Sequence, residues 1–223
     1  MPSFREQSET AEDWRRFPAA ERLPDDVGRV ALTFDDGPDP DATPAILEAL
    51  AAAGIPATFF VVGEQLMRHH SIAREVHAAG HELALHGFSH RRHPELIPPE
   101  ARDEIPRGVG AFQAATGQTP KLFRPPYGRF SEHSYKATAA LGLTPVYWSA
   151  WGLDWMDIGA DQIADLVLRD LDAGTIVLLH DSPRWAPRDS ARATAEAIPL
   201  IAAGAAERGL EWTTLGAGLA PAA

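Results

Sequence analysis

Residues 29–38 read RVALTFDDGP. An apolar run of strand length ends in two adjacent carboxylates, a glycine and a proline. Like charges side by side at the end of a buried strand are unfavourable unless something positive lies between or beside them. Asp-Asp-Gly-Pro alone is also a plausible turn, since aspartate, glycine and proline are turn formers. Which reading holds depends on what the rest of the chain brings to Asp35 and Asp36.

Outward from this stretch, strand-like and helix-like segments alternate. Strands are expected at 29–34, 57–62, 82–85, 122–123, 144–148, 175–179 and 211–214. Helices are expected at 43–53, with Thr43 as N-cap, Pro44 at the first helical position and Gly54 as the stop, and then at 71–79, 100–115, 131–140, 161–171 and 190–207, the last kinked at Pro199. Strands joined by helical crossovers predict a parallel sheet of the α/β class.

The uncommon polar residues decide between an open sheet and a closed one. Asp35 and Asp36 follow the first strand, His86 the third and Arg124 the fourth; Asp154 comes shortly past the fifth, and His180 ends the sixth. In a parallel barrel all these ends open on one face, where such folds place their chemistry. An open sheet would spread them along a line. The expected fold is therefore a seven-stranded (β/α) barrel in a single domain.

The chain has 223 residues, which suits one domain or one barrel, and 45% hydrophobic residues supply a substantial core. A formal net charge of −11 argues against nucleic acid or an anionic membrane as partner. There is no cysteine, which excludes disulfides, thiolate zinc sites and cysteine nucleophiles. Residues 1–28 are polar and broken by prolines, with no signal-type apolar core, and read as a loosely attached extension. No stretch approaches the ~20 apolar residues of a membrane span. The chain as given is expected to be cytoplasmic, or secreted or periplasmic if a leader has been removed.

His86-Gly-Phe-Ser-His90 places two histidines at i and i+4, which on one helical turn puts both imidazoles on the same side. Two histidines and a carboxylate make a common open metal site. A divalent cation there would answer the question of the paired aspartates: one ligates it and the neighbour is left to act as a base. Of nine histidines, seven lie between 69 and 93, so the pairing also has a chance explanation. His69, His70, His77, His81 and His93 are read as surface or structural.

Phe123-Arg124-Pro125-Pro126-Tyr127-Gly128 is a rigid loop in which the prolines fix the backbone and leave the Tyr127 amide free to donate. Trp148, Trp151 and Trp155 surround Asp154 and are read as lining a pocket or a sugar site.

TFDDGP, HGFSH, RPPYG, LDW and LLHD, in that order, resemble the five motifs of the polysaccharide deacetylases, carbohydrate esterase family four, also called the NodB homology domain. The resemblance spans residues 29–215, leaving 1–28 as an extension and 216–223 as a tail. It implies a distorted (β/α)7 barrel, a divalent metal and hydrolytic removal of acetyl groups from amino sugars or acetylated polysaccharides. The metal is usually zinc or cobalt; nickel suits the same ligands.

Residue by residue, the resemblance implies Asp35 as catalytic base and Asp36, His86 and His90 as metal ligands. Arg124 orients the base, and the Tyr127 amide beside Pro126 stabilises an oxyanion. His180 is the general acid, tuned by Asp154, and Leu178 and Trp155 line the acetyl pocket. Two departures stand out. Gly87 occupies a position that usually carries serine or threonine, and Trp151 one where many members carry aspartate.

The substrate implied is an N-acetylated carbohydrate, with a soluble oligosaccharide favoured over intact wall; the oligomeric state is not legible. O-acetyl esters or a small N-acetylated metabolite are alternatives within the same chemistry. A non-haem iron oxygenase shares the metal ligands but needs no second aspartate or histidine acid. A non-catalytic carbohydrate-binding barrel would not need Asp35 and His180.

Overall fold

A computed structural model describes residues 14–24 and 28–220. Strand β1 (Arg29–Asp35) lies at the middle of a parallel sheet with β2 (Thr58–Val61), β3 (Glu82–Leu85), β4 (Leu122–Phe123), β5 (Thr144–Pro145), β6 (Ala150–Trp151), β7 (Ile176–His180) and β8 (Glu211–Thr213). The order is β5-β4-β3-β2-β1-β7-β6, with β8 paired to the first half of β1. Helices α1 (Ala42–Ala53), α2 (Gly63–Arg68), α3 (His70–Ala78), α4 (Pro98–Thr116), α5 (Glu132–Ala140), α6 (Ala160–Asp170), α7 (Arg192–Glu207) and α8 (Leu215–Leu219) complete the fold.

Local chemistry explains these elements. Parallel strands of this class are covered on both faces, and all four residues of β2 and all but the first of β1 are buried. Helix α1 buries Ala42, Thr43, Ile46 and Leu50, the stripe expected of a helix laid on a sheet. It stops at Gly54, whose φ of 67° is the left-handed conformation glycine adopts at no steric cost. Thr43 falls inside the first turn; Asp39 instead accepts the amides of Asp41 and Ala42. Helix α7 continues through Pro199 without a break.

The sheet curls into a distorted barrel, as expected, but leaves a seam. Of the predicted strand 144–148 only Thr144–Pro145 forms one, β5 on β4; β6 follows beyond that range and pairs with β7 at the opposite end of the order, with no ladder between β5 and β6 among the described residues. The predicted helix 71–79 begins one residue earlier, and α2 precedes it, the two divided at His69.

The expectation of a loosely attached N-terminal arm does not hold for residues 14–24; residues 1–13 and 25–27 lie outside the described residues. Ala20 donates to Pro145 O and accepts from the Tyr147 amide, just past β5, while Leu23 donates to Gly174 O, just before β7. Trp14 is only 5% exposed, stacks on Tyr147 at 4.1 Å and donates from Nε1 to Gly128 O at 3.1 Å. Burying such rings outweighs the cost of ordering the arm.

The start of the tail is docked too: the Leu215 amide donates to Thr58 Oγ1 and the Gly216 amide to Glu82 Oε2. Residues 221–223 lie outside the described residues. Among the described residues no helix is long and apolar enough to cross a membrane.

Replacing Trp14 by alanine should lower stability by about 3–5 kcal/mol, the usual cost of removing a buried large aromatic ring. Chemical denaturation measures this, and an unchanged midpoint would show that the arm is not part of the core.

Candidate active site

All strands run parallel, so the residues that follow them meet at one rim. Asp35, the last residue of β1, lies in register with Phe60 of β2 and His180 of β7. Its Oδ1 accepts a 2.7 Å hydrogen bond from Arg124 Nη1. That guanidinium is completely buried and also donates to Thr33 Oγ1 at 2.8 Å and Tyr147 O at 2.9 Å. Thr33, a polar residue inside an apolar strand, thus helps to aim Arg124.

Asp36 has a φ of 87°, uncommon for a residue with a side chain, and each of the two adjacent carboxylates turns one oxygen toward His86. Asp36 Oδ1 lies 3.0 Å from His90 Nε2 and 3.6 Å from His86 Nε2, while Asp35 Oδ2 lies 3.7 Å from His86 Nε2. Burial alone would raise the Asp36 pKa, but His90, His180 and His86 outweigh it and hold the carboxyl well below its usual range.

Asp181 accepts the Gly37 amide at 2.8 Å and the Thr43 hydroxyl at 2.6 Å, which ties down the turn after Asp36. A Cβ on Gly37 would lie 2.1 Å from the Asp181 carboxylate, so only glycine fits there.

The His86–His90 pair does not sit on a helical turn. The two rings meet because residues 86–90 form a bend that passes through Gly87 at φ +84°. Two features hold this bend. The amides of Gly63 and Glu64, at the start of α2, donate to Gly87 O and Phe88 O. Glu104 of α4 accepts from the Phe88 and Ser89 amides at 3.0 and 2.5 Å, and from the Ser89 hydroxyl at 3.0 Å.

His86 Nδ1 lies 2.8 Å from Arg124 O, so it carries the hydrogen and leaves the Nε2 lone pair facing the carboxylates. Burial first, then the nearby His90 and Arg124, bring His86 down to about 4 against the pull of Asp35 and Asp36. It is neutral at pH 7, the state in which imidazole binds metals.

His180 has the opposite balance. Burial would lower its pKa, but Asp154, 2.8 Å from Nδ1, together with Asp36 and Asp35, raises it to about 9. Asp154 is itself fully buried and also accepts the His180 amide at 2.9 Å and the Thr194 hydroxyl at 2.8 Å. Arg188 Nη1 lies 3.4 Å from the same carboxylate.

The expected rim residues fall around this centre. The Tyr127 ring lies 4.6 Å from His90, and Tyr127 has a φ of 59° in the turn Pro126–Gly128. Trp155 stands edge-on to His180 at 5.3 Å, and buried Leu178 precedes His180 on β7, paired with Trp151. Of the remaining histidines, His81 accepts the Ala57 amide and His93 is buried against Phe123, both structural.

Sequence reading gave no role to Asp181, the last residue of the LLHD stretch, and missed Glu104, Arg188, Thr194 and Trp185, whose indole stacks on His90 at 4.3 Å. Asp181 had a signal, since it adjoins His180. Glu104 on a helix and Trp185 in a loop had none.

Asp36, His86 and His90 are the group among the described residues whose ligand atoms suit an ion, all lying within 4.8 Å of one another. They fit a divalent metal on the donors alone: the buried Asp36 carboxylate, the neutral His86 imidazole with its far nitrogen already bonded, and His90, whose Nε2 faces Asp36 Oδ1.

A curled parallel sheet whose strand ends gather buried carboxylates and histidines at one rim defines an α/β fold of barrel type with a polar site at one end. Residues 23–146 match the family described as polysaccharide deacetylase, and the chain belongs to it. It is 39% identical over 153 residues to a chitooligosaccharide deacetylase of Bradyrhizobium sp. (strain ANU 289), covering 68% of this chain and 70% of the relative.

Among solved structures, the Bc1960 peptidoglycan N-acetylglucosamine deacetylase superposes with a TM-score of 0.84 at 29% identity, covering 92% of this chain and 94% of the other. BA3943 of Bacillus anthracis, described as a family four pseudoenzyme, superposes with a TM-score of 0.81 at 25% identity, covering 90% and 68%. The fold therefore hosts inactive members as well, and activity has to be argued from the residues.

Glu104→Ala should destabilise the protein by about 2 kcal/mol, because it leaves the amides of Phe88 and Ser89 without their acceptor. Glu104→Gln, which keeps Oε1, should recover part of this in denaturant titrations. Equal loss in both variants would mean that charge, not acceptance, holds the bend.

Proposed function

We propose that the chain is a metal-dependent N-deacetylase of carbohydrates containing N-acetylglucosamine, such as chitooligosaccharide or peptidoglycan glycan. The observation that carries this reading is the pairing of Asp35, held by Arg124 at 2.7 Å, with a protonated His180, held by Asp154 at 2.8 Å, around the Asp36–His86–His90 cluster. Amide hydrolysis needs both a base for water and an acid for the departing amine, since an amine anion leaves very poorly.

Asp36, His86 and His90 would hold one divalent ion, with Zn2+ the simplest occupant of this nitrogen and oxygen set and Co2+ or Ni2+ compatible. Such an ion supplies Lewis acidity toward the acetyl carbonyl and acidifies water. Asp35 takes a proton from the attacking water, and Arg124 keeps its Oδ1 oriented while Oδ2 faces the cluster. The Tyr127 backbone N–H, beside Pro126, donates to the oxyanion of the tetrahedral intermediate. His180 then gives its proton to the amine nitrogen as the C–N bond breaks, releasing acetate and a free amino sugar. Trp155 and Leu178 line the space for the acetyl methyl.

Acetate release from N-acetylated chitooligosaccharides by zinc-loaded protein tests the reading. Asp35→Asn should reduce kcat by about 10²- to 10⁴-fold, and a chelator should abolish turnover. Release that survives both changes would sink the proposal. An O-acetylated sugar in the same assay separates amide from ester specificity.

Because His180 must carry its proton, activity should fall as pH rises through about 9. The same shift bears on stability. The folded pKa exceeds the ordinary 6.5, so the His180–Asp154 contribution is complete below that value and is lost as pH rises through about 9. Asp154→Asn leaves burial as the dominant influence and should move the alkaline limb of the rate profile to lower pH. An unmoved limb would exclude His180 as the acid.

A further inference from the structure

His86 and His90 offer equivalent atoms but are held in different ways. The His86 ring is fixed by the 2.8 Å contact from Nδ1 to Arg124 O. The His90 side chain is only 5% exposed, yet its Nδ1 has no hydrogen-bond partner among the described residues. Ligating histidines are ordinarily oriented through the nitrogen that does not bind the metal. Without that bond, rotation about the bond that carries the ring is unopposed by any polar contact at Nδ1, and Nε2 would turn away from Asp36.

Aromatic rings take the place of the hydrogen bond. The Trp185 indole lies 4.3 Å from the His90 ring at an interplanar angle of 21°, nearly face to face. Tyr127 lies on a second side at 4.6 Å and 53°. Trp185 is the better wall, because a near-parallel plane blocks rotation of the imidazole out of its own plane. Tyr127 is tilted, 39% exposed and shared with Arg92, whose guanidinium lies 4.2 Å from its ring.

The loop that carries Trp185 is pinned at both ends. Asp181 is tied to Gly37 and Thr43, and Arg188 donates to His180 O at 3.1 Å and Thr194 Oγ1 at 2.5 Å.

We propose that Trp185 is the positioning residue for His90, its indole plane holding Nε2 toward Asp36. The proposal rests on the metal-site reading above. It assigns Trp185 to the ligand set and not to the sugar, although an aromatic ring beside a carbohydrate cleft can also serve as a stacking platform. The two roles change different quantities, so metal binding measured without any sugar distinguishes them.

The test uses the full chain with Zn2+ alone, titrated in competition with a chromophoric chelator, and Co2+ alone, read by its visible absorption. Trp185→Ala should weaken Zn2+ binding by about 10- to 100-fold, the usual loss when a ligand's orienting partner is removed, and should alter the Co2+ spectrum. Trp185→Phe, which keeps a flat ring, should restore most of both. If the alanine variant does not fold, Trp185→Leu carries the test, since it keeps apolar bulk without a plane and should show the same weakening.

Wild-type Zn2+ affinity and an unchanged Co2+ spectrum in the alanine or leucine variant would overturn the proposal; a raised KM alongside would assign Trp185 to sugar binding. Failure of the wild-type protein to bind either ion would instead remove the metal reading itself, and this inference with it.

Discussion

The buried ion pair between Arg124 and Asp35 is the constraint on which the rest of the site depends. A guanidinium removed from water is tolerated only if its charge and most of its donors are met, and here Asp35, Thr33 and Tyr147 O meet them. Removing one member of such a pair ordinarily costs about 3–5 kcal/mol, because the other is left charged and buried. The pair therefore fixes where β1 ends relative to the loop after β4. It also places the Arg124 carbonyl where it accepts the His86 Nδ1 hydrogen. One residue thus orients a carboxylate with its side chain and an imidazole with its backbone.

Around that pair the protein sets two histidines to opposite states. His86 is brought down to about 4, chiefly by burial, and His180 is raised to about 9 because Asp154 and the two aspartates overcome burial. The side chains are chemically identical, and the difference lies in what each Nδ1 meets: a neutral carbonyl in one case and a buried carboxylate in the other. Supporting residues repeat the same logic. Glu104 is spent on the amides of the His86–His90 bend, Asp181 on the turn after Asp36, and Thr194 and Arg188 on Asp154.

The N-terminal arm joins this network from outside the sheet. Trp14 stacks on Tyr147, the Tyr147 hydroxyl donates to Phe17 O at 3.2 Å, and Ala20 takes up the backbone on both sides of Val146. Tyr147 O is in turn an acceptor for Arg124. A continuous series of contacts thus runs from the arm to the carboxylate at the end of β1.

Much of this was legible in the chain itself. The apolar runs of β1 to β4 and β7, the glycine stop of α1 and the placement of Asp35, Asp36, His86, Arg124 and His180 at strand ends are local patterns, set by side-chain period and turn chemistry over a few residues. Those patterns also implied that the polar residues share one rim. What they could not carry was any contact between distant segments. The bond from Trp14 to Gly128 spans 114 residues, and nothing near Trp14 distinguishes an indole that will be buried from one on a polar arm. The bend at His86–His90 looked helical by spacing, yet the amides of α2 and the carboxylate of Glu104 decided its shape. Local sequence determined which groups stand at the rim, because backbone period acts on neighbours. Tertiary packing decided which of them touch and how each is charged, because burial and hydrogen-bond partners come from residues far along the chain.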